Sequence, residues 1–174
     1  MHLLLSAKPR LAVLCTALWA VLCASPSAWA LDPPAGKVIL TVTGEVANRN
    51  APEGAAFDMA MLQKLPQRSF MTRTPWYAEP RKFTGVALAD LLAAVGSKAR
   101  TAKAVALNDY RVEFPVDDAL KGDVLVAYAL DDKPMLVRDK GPLVLMYPFD
   151  ARPELRNAVN YSRAAWQLKA LELR

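Results

Sequence analysis

The stretch FMTRTPWY at residues 70–77, followed closely by KFTGV at residues 82–86, decides the fold that we predict for this chain. Apolar and polar residues alternate up to Thr74, and this period predicts a β-strand. Proline, tryptophan and tyrosine then interrupt the alternation, which predicts an irregular loop. The apolar spacing of residues 86–95 predicts a helix that returns the chain to the core and ends at Gly96. Because loops at strand ends collect ligand contacts, this loop is the first candidate for a binding site.

Three side chains of this loop suit a flat heterocycle with polar edges. Arg73 has a planar fork of N–H donors, Thr74 has a hydroxyl, and Trp76 has a flat apolar face with one N–H. In the alternative interpretation Trp76 is an ordinary core residue and Arg73 is a solvated charge. The residue types alone leave both interpretations open.

Residues 1–30 have the features of a signal peptide. A basic start precedes an apolar run over residues 11–23, and Ala-Trp-Ala at residues 28–30 offers the small residues that signal peptidase requires. We therefore expect cleavage after Ala30 and export to the periplasm. A retained membrane anchor is the competing interpretation, but the apolar run is shorter than the ~20 residues that span a bilayer.

The mature chain predicted by this cleavage, residues 31–174, contains neither cysteine nor histidine. His2, Cys15 and Cys23 all lie in the leader. Leucine precedes each cysteine, whereas lipoprotein processing requires a small residue there, so no lipid anchor is expected. The composition of the mature chain excludes disulfides, zinc sites built from thiolate or imidazole, His-ligated haem, Ser-His-Asp triads and cysteine nucleophiles. Carboxylate, lysine, tyrosine or hydroxyl chemistry remains, or a cofactor with its own reactivity.

Residues 31–174 have the length and hydrophobicity of one globular domain, since a chain of about 150 residues buries about 70% of its unfolded surface. This domain has 20 Lys and Arg residues (22 minus the 2 in the leader) against 17 Asp and Glu, a net charge of +3. The positive residues are dispersed among acidic ones and form no basic run. Nucleic acid is therefore not an expected partner.

The order of predicted elements indicates an α+β fold, a single mixed-sheet domain with two or three short helices. Asp58 is the predicted N-cap of the first helix, which Pro66 ends. Polar loops are predicted over residues 48–54 and 97–103. Strands are predicted over residues 37–45, 68–74, 104–107, 111–114, 123–130, 135–137, 143–147 and 163–174, and helices over residues 59–65, 86–95 and 117–121, with a weaker helical turn at 153–159.

Several of these residues together resemble the sulfite-oxidase-type molybdopterin-binding fold. The similarity begins at the strand over residues 38–44 and covers nearly all of the mature chain. The residues that carry it are Trp76, the run Phe83-x-Gly85-Val86-x-Leu88-x-Asp90-Leu91-Leu92, Gly96, the Pro134-Met135 hairpin, the turn at residues 138–142, and the terminal Trp166-Gln167-Leu168 strand.

The sequence departs from this family at the metal ligand. Enzymes of this fold ligate molybdenum with a cysteine thiolate near the end of the strand before the loop, where this chain has Phe-Met-Thr-Arg-Thr at residues 70–74. A threonine hydroxyl is hard and hardly ionised at neutral pH, so it is a far poorer ligand than a thiolate. We therefore do not expect a molybdenum redox centre of the usual type, even if the pterin pocket is kept.

A pocket of this kind resembles that of small periplasmic pterin-binding proteins that lack the molybdenum-ligating cysteine. The resemblance implies a ligand sensor that binds a pterin non-covalently. It also implies a partner, the periplasmic domain of a membrane-bound diguanylate cyclase/phosphodiesterase. Two alternatives stay open: an oxidoreductase domain that uses the molybdenum cofactor, and a non-catalytic periplasmic interaction protein.

Roles in pterin binding follow for the loop and for a later turn. Trp76 would stack on the bicyclic ring, with Thr74 beside it. Asp139 would accept hydrogen bonds from the ring's amino group and the adjacent N–H, while Arg73 and Arg138 would donate to the ring carbonyl or its nitrogens. In the alternative interpretation, Asp139 accepts hydrogen bonds from backbone amides of its own turn, and Arg73 and Arg138 each form a surface ion pair.

A second strand end supplies two further candidates. Asn108 and Tyr110 lie in a predicted turn that would face the same pocket, although a turn asparagine with a purely structural role is the simpler interpretation. Arg163 and Trp166 form another basic and aromatic pair, which we expect to be structural.

Overall fold

The computed structural model describes residues 31–174, in which ten strands divide between two five-stranded sheets. The predicted signal peptide at residues 1–30 lies outside the described residues. The strands are β1 (Leu40–Gly44), β2 (Gly54–Phe57), β3 (Gln67–Thr74), β4 (Tyr77–Ala87), β5 (Thr101–Ala106), β6 (Arg111–Pro115), β7 (Leu125–Leu130), β8 (Lys133–Pro134), β9 (Val144–Met146) and β10 (Leu168–Leu173). The helices are α1 (Met59–Lys64), α2 (Leu88–Ala94), α3 (Asp117–Lys121) and α4 (Ala158–Arg163), with 3-10 helices at Val137–Asp139 and Pro153–Leu155.

The α+β prediction is confirmed, with four short α-helices in the described residues where the sequence predicts two or three. The first sheet has the order β2-β1-β10-β5-β6, and β1 and β10 are its parallel pair, with Thr41 opposite Ala170. In the second sheet the order is β3-β4-β7-β8, and β9 also pairs with β7. The first sheet is therefore mixed, because its other pairs are antiparallel.

Both sheets contribute to one cluster of buried hydrophobic side chains. Leu88, Leu91 and Leu92 of α2 enter this cluster, which confirms the apolar face predicted for that helix. Tyr147 and Phe149, after β9, are among its largest fully buried members. Each fully buried leucine or phenylalanine contributes ~1.5–3 kcal/mol relative to an exposed one, so this cluster holds the sheets together.

The prediction of an irregular loop around Trp76 is wrong. β3 and β4 instead make a hairpin whose turn is Pro75-Trp76, and β4 continues for 11 residues before α2 begins. The register of the pair shifts between Thr72 and Thr74, which leaves extra residues of β4, including Pro80, opposite Arg73. A bulge of this kind accommodates a proline inside a strand, which is why the local sequence suggested irregular structure.

The start of α2 also differs from the prediction. Val86 and Ala87 pair with β7, opposite Val126 and Leu125, so the helix begins at Leu88 instead of residue 86. Strand pairing there overrides the helical spacing of the apolar residues. The predicted end of this helix is confirmed, because Gly96 follows it with a left-handed φ of 63°.

One predicted strand is absent, and one observed strand was not predicted. The strand expected over residues 135–137 is absent because the carbonyl of Leu136 accepts turn bonds from the N–H groups of Asp139 (2.8 Å) and Gly141 (2.8 Å) in place of a ladder bond. β2 overlaps the predicted loop over residues 48–54 only at Gly54 and otherwise covers the residues that follow it. Its Gly-Ala-Ala-Phe sequence has low strand propensity, and pairing with β1 decides its conformation.

The predicted N-cap of α1 is confirmed. The Asp58 carboxylate accepts hydrogen bonds from the N–H groups of Met61 (2.8 Å) and Gly36 (2.6 Å), and the residue is 3% exposed. The Met61 N–H first, and then the Gly36 N–H, hold the pKa of this carboxyl below its ordinary value. Asp58 therefore fixes the start of the helix and also holds the segment that leads into β1.

We predict that Asp58→Asn lowers stability at neutral pH and flattens the acid limb of the stability curve. The pKa of Asp58 is lowered by folding, so its contribution is complete above the ordinary carboxyl range and is lost as the pH falls through the folded-state value. Urea unfolding between pH 2 and pH 7 measures this. The exposed Asp32→Asn is the control, and an Asp58→Asn variant with the same pH dependence as the parent would contradict the capping role.

Candidate aromatic binding site

Four aromatic side chains meet at the β3–β4 turn, and we call them the aromatic cluster: Trp76, Tyr77, Tyr161 and Trp166. The Trp76 ring lies edge-to-face with Trp166, with centroids 5.0 Å apart at 85°, and with Tyr161, at 6.1 Å and 83°. Tyr77 lies 6.0 Å from Trp166 at 71°. All four are partly buried and partly open to solvent. Such geometry stabilises the rings beyond their burial, by about 0.5–1.5 kcal/mol per pair.

Three distant segments of the chain supply this cluster. The β3–β4 hairpin provides Trp76 and Tyr77, α4 provides Tyr161, and the residues before β10 provide Trp166, which also forms an isolated bridge with Val144. Phe149 lies 4.8 Å from Tyr161 and connects the cluster to the buried core. The site is therefore anchored on both sheets.

The indole N–H of Trp166 is buried and has no hydrogen-bond partner within residues 31–174. Thr84 and Tyr147 also have a buried hydroxyl without a partner in these residues, but only the Trp166 donor belongs to the half-open aromatic cluster, so it is the candidate contact for a ligand acceptor. Beside it, burial raises the pKa of the Tyr77 hydroxyl, the Arg81 cation opposes this shift, and the Asp131 and Asp139 carboxylates reinforce it. Tyr77 is therefore a protonated donor at neutral pH.

Two cations lie over aromatic faces of the cluster. The Lys140 ammonium is 5.4 Å from the centre of the Trp166 ring, and the Arg81 guanidinium is 4.9 Å from the centre of the Tyr77 ring. Arg81 is also paired with Asp131. Lys140 has no carboxylate within ion-pair distance in the described part of the chain, so it is the cation there that a ligand oxygen can engage without displacing a partner.

Asp150 holds the end of β3 against the loop after β9. It accepts a hydrogen bond from the Arg73 backbone N–H (3.0 Å), and its other oxygen pairs with the Arg156 guanidinium (2.5 Å). The Arg73 guanidinium lies 3.7 Å from the same carboxylate, with 68% of the side chain exposed. Asp150 thus neutralises part of the positive charge beside the cluster.

Two hydroxyls lie within residues 70–74, the stretch in which the resemblance predicts a metal ligand. Thr72 is fully buried, and its Oγ1 accepts a hydrogen bond from the Asp150 backbone N–H (3.1 Å). Thr74 is 8% exposed, and its Oγ1 accepts a long hydrogen bond from the Trp76 backbone N–H (3.4 Å). Thr74 therefore helps to fix the turn that carries Trp76, and Thr72 ties β3 to the loop after β9.

The residues predicted from the loop and from the later turn lie near one another. Arg73 and Thr74 end β3, Trp76 lies in the turn that follows, and Asp139 directly precedes Lys140, whose ammonium lies over the Trp166 ring. Arg138 is 81% exposed, and its Nε lies 3.6 Å from the Asp139 carboxylate. This pair occupies the 3-10 helix that precedes Lys140.

Asn108 and Tyr110 make their hydrogen bonds within their own turn and to α4. The Asn108 carboxamide oxygen accepts from the Tyr110 backbone N–H (3.2 Å), which is the turn role considered above. The Tyr110 hydroxyl donates to the Ser162 carbonyl (2.9 Å), next to Tyr161. Tyr110 therefore touches the helix that carries Tyr161 and has no ring contact with the cluster.

Sequence reasoning did not assign Tyr77, Lys140, Tyr161 or Asp150 to the site, and it expected Trp166 to be structural. The convergence of these residues depends on how β10 and α4 pack against the hairpin, which no local pattern reveals. Tyr77 is the exception, because its place beside Trp76 is visible in the sequence. Arg163, by contrast, pairs with Asp118 at 2.6 Å and is structural, as expected.

Within residues 31–174, no three or more Asp, Glu, His or Cys side chains are grouped closely enough to hold a metal ion. In the same residues, none of the helices has the length and apolar character needed to cross a bilayer.

Comparison with known proteins assigns this architecture. No curated protein sequence matches the chain. Among solved structures, the sulfane dehydrogenase SoxCD from Paracoccus pantotrophus is similar in fold, with a TM-score of 0.56 and 16% identity over 77% of this chain. This chain spans only 37% of the length of that one. The model of the oxidoreductase molybdopterin binding domain matches residues 34–149, two thirds of the sequence, so the resemblance drawn from the sequence is confirmed. The chain belongs to the oxidoreductase molybdopterin-binding domain family.

Proposed function

We propose that this domain binds a pterin non-covalently at the aromatic cluster and serves as a periplasmic ligand sensor. In this proposal no thiolate of the protein binds molybdenum. The observation that carries the binding site is the unpaired, buried indole N–H of Trp166 within a half-open group of four aromatic rings. Membership of a molybdopterin-binding family supports a pterin as the class of ligand.

The residues present do not fit a thiolate-bound molybdenum centre. Residues 31–174 contain no cysteine, and both hydroxyls accept hydrogen bonds from backbone N–H groups, Thr72 from Asp150 and Thr74 from Trp76. Neutral hydroxyls are weak ligands for a metal that thiolates bind strongly. The organic part of the cofactor does not depend on this ligand, because aromatic rings and hydrogen bonds can hold it.

The side chains around the cluster match the edges of a pterin ring. We assign stacking to the half-buried Trp76, and to the Asp139 carboxylate the role of accepting from the ring's amino group and adjacent N–H. The Trp166 N–H and the Lys140 ammonium are donors for the ring carbonyl. A pterin of about 17 heavy atoms at ~0.4 kcal/mol per atom would bind with ~7 kcal/mol, a micromolar affinity suited to reversible sensing.

The sensor role extends the binding proposal to a partner and a compartment. The leader at residues 1–30 supports export, and the resemblance to small periplasmic pterin-binding proteins supports a membrane-bound diguanylate cyclase/phosphodiesterase as the protein whose periplasmic domain responds. Cyclic di-GMP turnover measured with and without this chain, at fixed pterin, tests the partner separately from ligand binding. Turnover that does not change on adding the chain would remove this partner.

Intrinsic fluorescence tests the binding proposal directly. Trp76 and Trp166 are the two tryptophans of residues 31–174, so all tryptophan emission of the mature chain comes from the cluster. Titration with neopterin and with tetrahydrobiopterin is expected to quench this emission with a micromolar Kd. Emission that no pterin changes, together with a constant melting temperature, would favour the non-catalytic interaction protein.

A molybdopterin-dependent oxidoreductase is the second candidate, and the family match is the observation that favours it. It predicts about one molybdenum atom per chain in protein purified from the periplasm, with redox turnover. Metal analysis decides between the two candidates: absent molybdenum removes the oxidoreductase, and stoichiometric, tightly held molybdenum removes the metal-free sensor.

A further inference from the structure

An open groove with a volume of about 330 Å³ lies at one end of the first sheet. Its walls come from the segment that leads into β1, from the start of β10, from the residue after β5, and from the turn over residues 137–142. Apolar side chains line most of it: Val38, Ile39, Leu107, Val137 and Pro142. We call this feature the apolar groove.

Exposed hydrophobic side chains are concentrated here. Val38 is 41% exposed, Leu107 43% and Val137 52%, and Leu136 beside Val137 is 48% exposed. These are four of the eight large hydrophobic side chains that are exposed among residues 31–174. Isolated exposed hydrophobics are ordinary, whereas half of them around one groove indicates a surface that another molecule covers.

The charges at the groove favour an acidic occupant. Lys37 and Lys169 lie in its lining. Lys169 is paired with Asp109 at 2.8 Å, while Lys37 has no carboxylate within ion-pair distance in the part of the chain that the structure describes. A second copy of the chain fits less well, because the lining of the groove contains two lysines and no carboxylate that could pair with them across a two-fold interface.

Gln167 connects the groove with the aromatic cluster, since it follows Trp166 directly. Its backbone N–H donates to the Lys140 carbonyl (2.9 Å), and its side-chain amide donates to the Val137 carbonyl (2.8 Å). Its own carbonyl accepts from the Leu107 N–H (2.9 Å). Two walls of the groove and the cation over Trp166 are therefore held by one residue, which has a left-handed φ of 53°.

We propose that the apolar groove docks a segment of a partner protein in which apolar side chains are combined with carboxylates, and that Gln167 couples this docking to the aromatic cluster. The coupling rests on the proposed function, because it requires a pterin at the cluster. The docking does not. Since coupling between two binding sites is reciprocal, a pterin that changes the affinity of the segment has its own affinity changed by the same factor.

Selection of random 12-residue peptides against the mature chain tests the docking. The enriched peptides are expected to combine apolar and acidic residues. A resynthesised peptide should bind Val137→Asp at least about tenfold more weakly and Lys37→Glu several-fold more weakly than the parent. Val159→Asp is the matched control, because Val159 is a valine of similar exposure, at 57%, on α4 outside the groove.

Each other outcome overturns part of the proposal. Absence of enrichment, or peptides that bind Val137→Asp as well as the parent, removes the docking surface. Basic peptides refute the charge argument, and concentration-dependent dimerisation that Val137→Asp abolishes identifies a second copy as the occupant. Peptide affinity is then measured with and without saturating neopterin, in the parent and in Gln167→Ala.

The coupling predicts a several-fold change in peptide affinity with neopterin in the parent that Gln167→Ala reduces. An equal affinity in both conditions, in protein that does bind neopterin, refutes the coupling and leaves the docking in place. If neopterin does not bind the parent at all, the proposed function fails while the peptide results stand.

Discussion

Gly85→Ala is expected to destabilise the domain by about 3 kcal/mol or more, a large part of the 5–15 kcal/mol that stabilises a typical domain. A Cβ atom at residue 85 would lie 2.1 Å from the Val126 carbonyl oxygen and 2.5 Å from the Ala127 Cα. Both are backbone atoms of β7, which pairs with β4, β8 and β9. Because a strand bonded on both sides cannot retreat locally, β4 and β7 would have to separate at the point where their register shifts.

Urea unfolding followed by tryptophan fluorescence measures this loss. Gly96→Ala is the comparison variant with a smaller expected loss, because Gly96 has a φ of 63° and a Cβ there would meet a side chain, that of Ala47, at 3.0 Å. A left-handed alanine in this position is expected to cost about 1–2 kcal/mol. A Gly85→Ala variant as stable as Gly96→Ala would show that the two strands adapt, which would contradict the close approach.

The elements predicted well from the sequence are those fixed by local chemistry. β3 follows from its alternation, α1 from the Asp58 cap and Pro66, and the end of α2 from Gly96. The hydrogen bonds and periods that decide these elements lie within a few residues of each other, so the sequence displays them.

The elements predicted poorly depend on partners that are distant in the chain. β2 becomes a strand because β1 pairs with it, and residues 86–87 are extended because β7 pairs with them. The sequence shows Gly85 within the motif that resembles the family. Only the structure shows why glycine is required there, because the β7 backbone leaves no room for a Cβ atom. Tertiary pairing overrides local propensity in each case.

The residues of the candidate site also divide into those that the local sequence indicates and those that only the packing brings together. Trp76 and Arg73 are identifiable from residue type and from their position after a strand, whereas Tyr161 and Asp150 join them only through packing. The sequence leaves Arg73 open between a ligand donor and a surface ion-pair partner, and the structure places its guanidinium 3.7 Å from the Asp150 carboxylate. Lys140 is not identifiable from the sequence, because a lysine in a polar turn has no local sign of the tryptophan beneath it.

Replacement of Trp76 by alanine is expected to weaken pterin binding by about 100-fold or more, which corresponds to ~2.7 kcal/mol. The substitution removes the stacking face and leaves Trp166 and Tyr161 without their common edge-to-face neighbour. Pterin fluorescence gives the Kd in this variant, and Trp166 remains as a reporter of folding. Some loss of stability accompanies the change, since truncating a packed tryptophan costs about 3–5 kcal/mol when it is fully buried and less when it is half-buried, as here.

Two further variants separate ligand contact from packing. Trp76→Phe keeps an aromatic ring between Trp166 and Tyr161, so most of the stability should return, with binding about tenfold weaker than in the parent because the smaller ring stacks less and makes fewer contacts. Tyr128→Ala removes a half-buried aromatic residue of β7 outside the cluster, and it should lower stability without changing the Kd by more than about twofold. If Trp76→Ala binds neopterin as tightly as the parent, or if Tyr128→Ala weakens binding as much as Trp76→Ala does, the ligand lies elsewhere and the aromatic cluster is only part of the core.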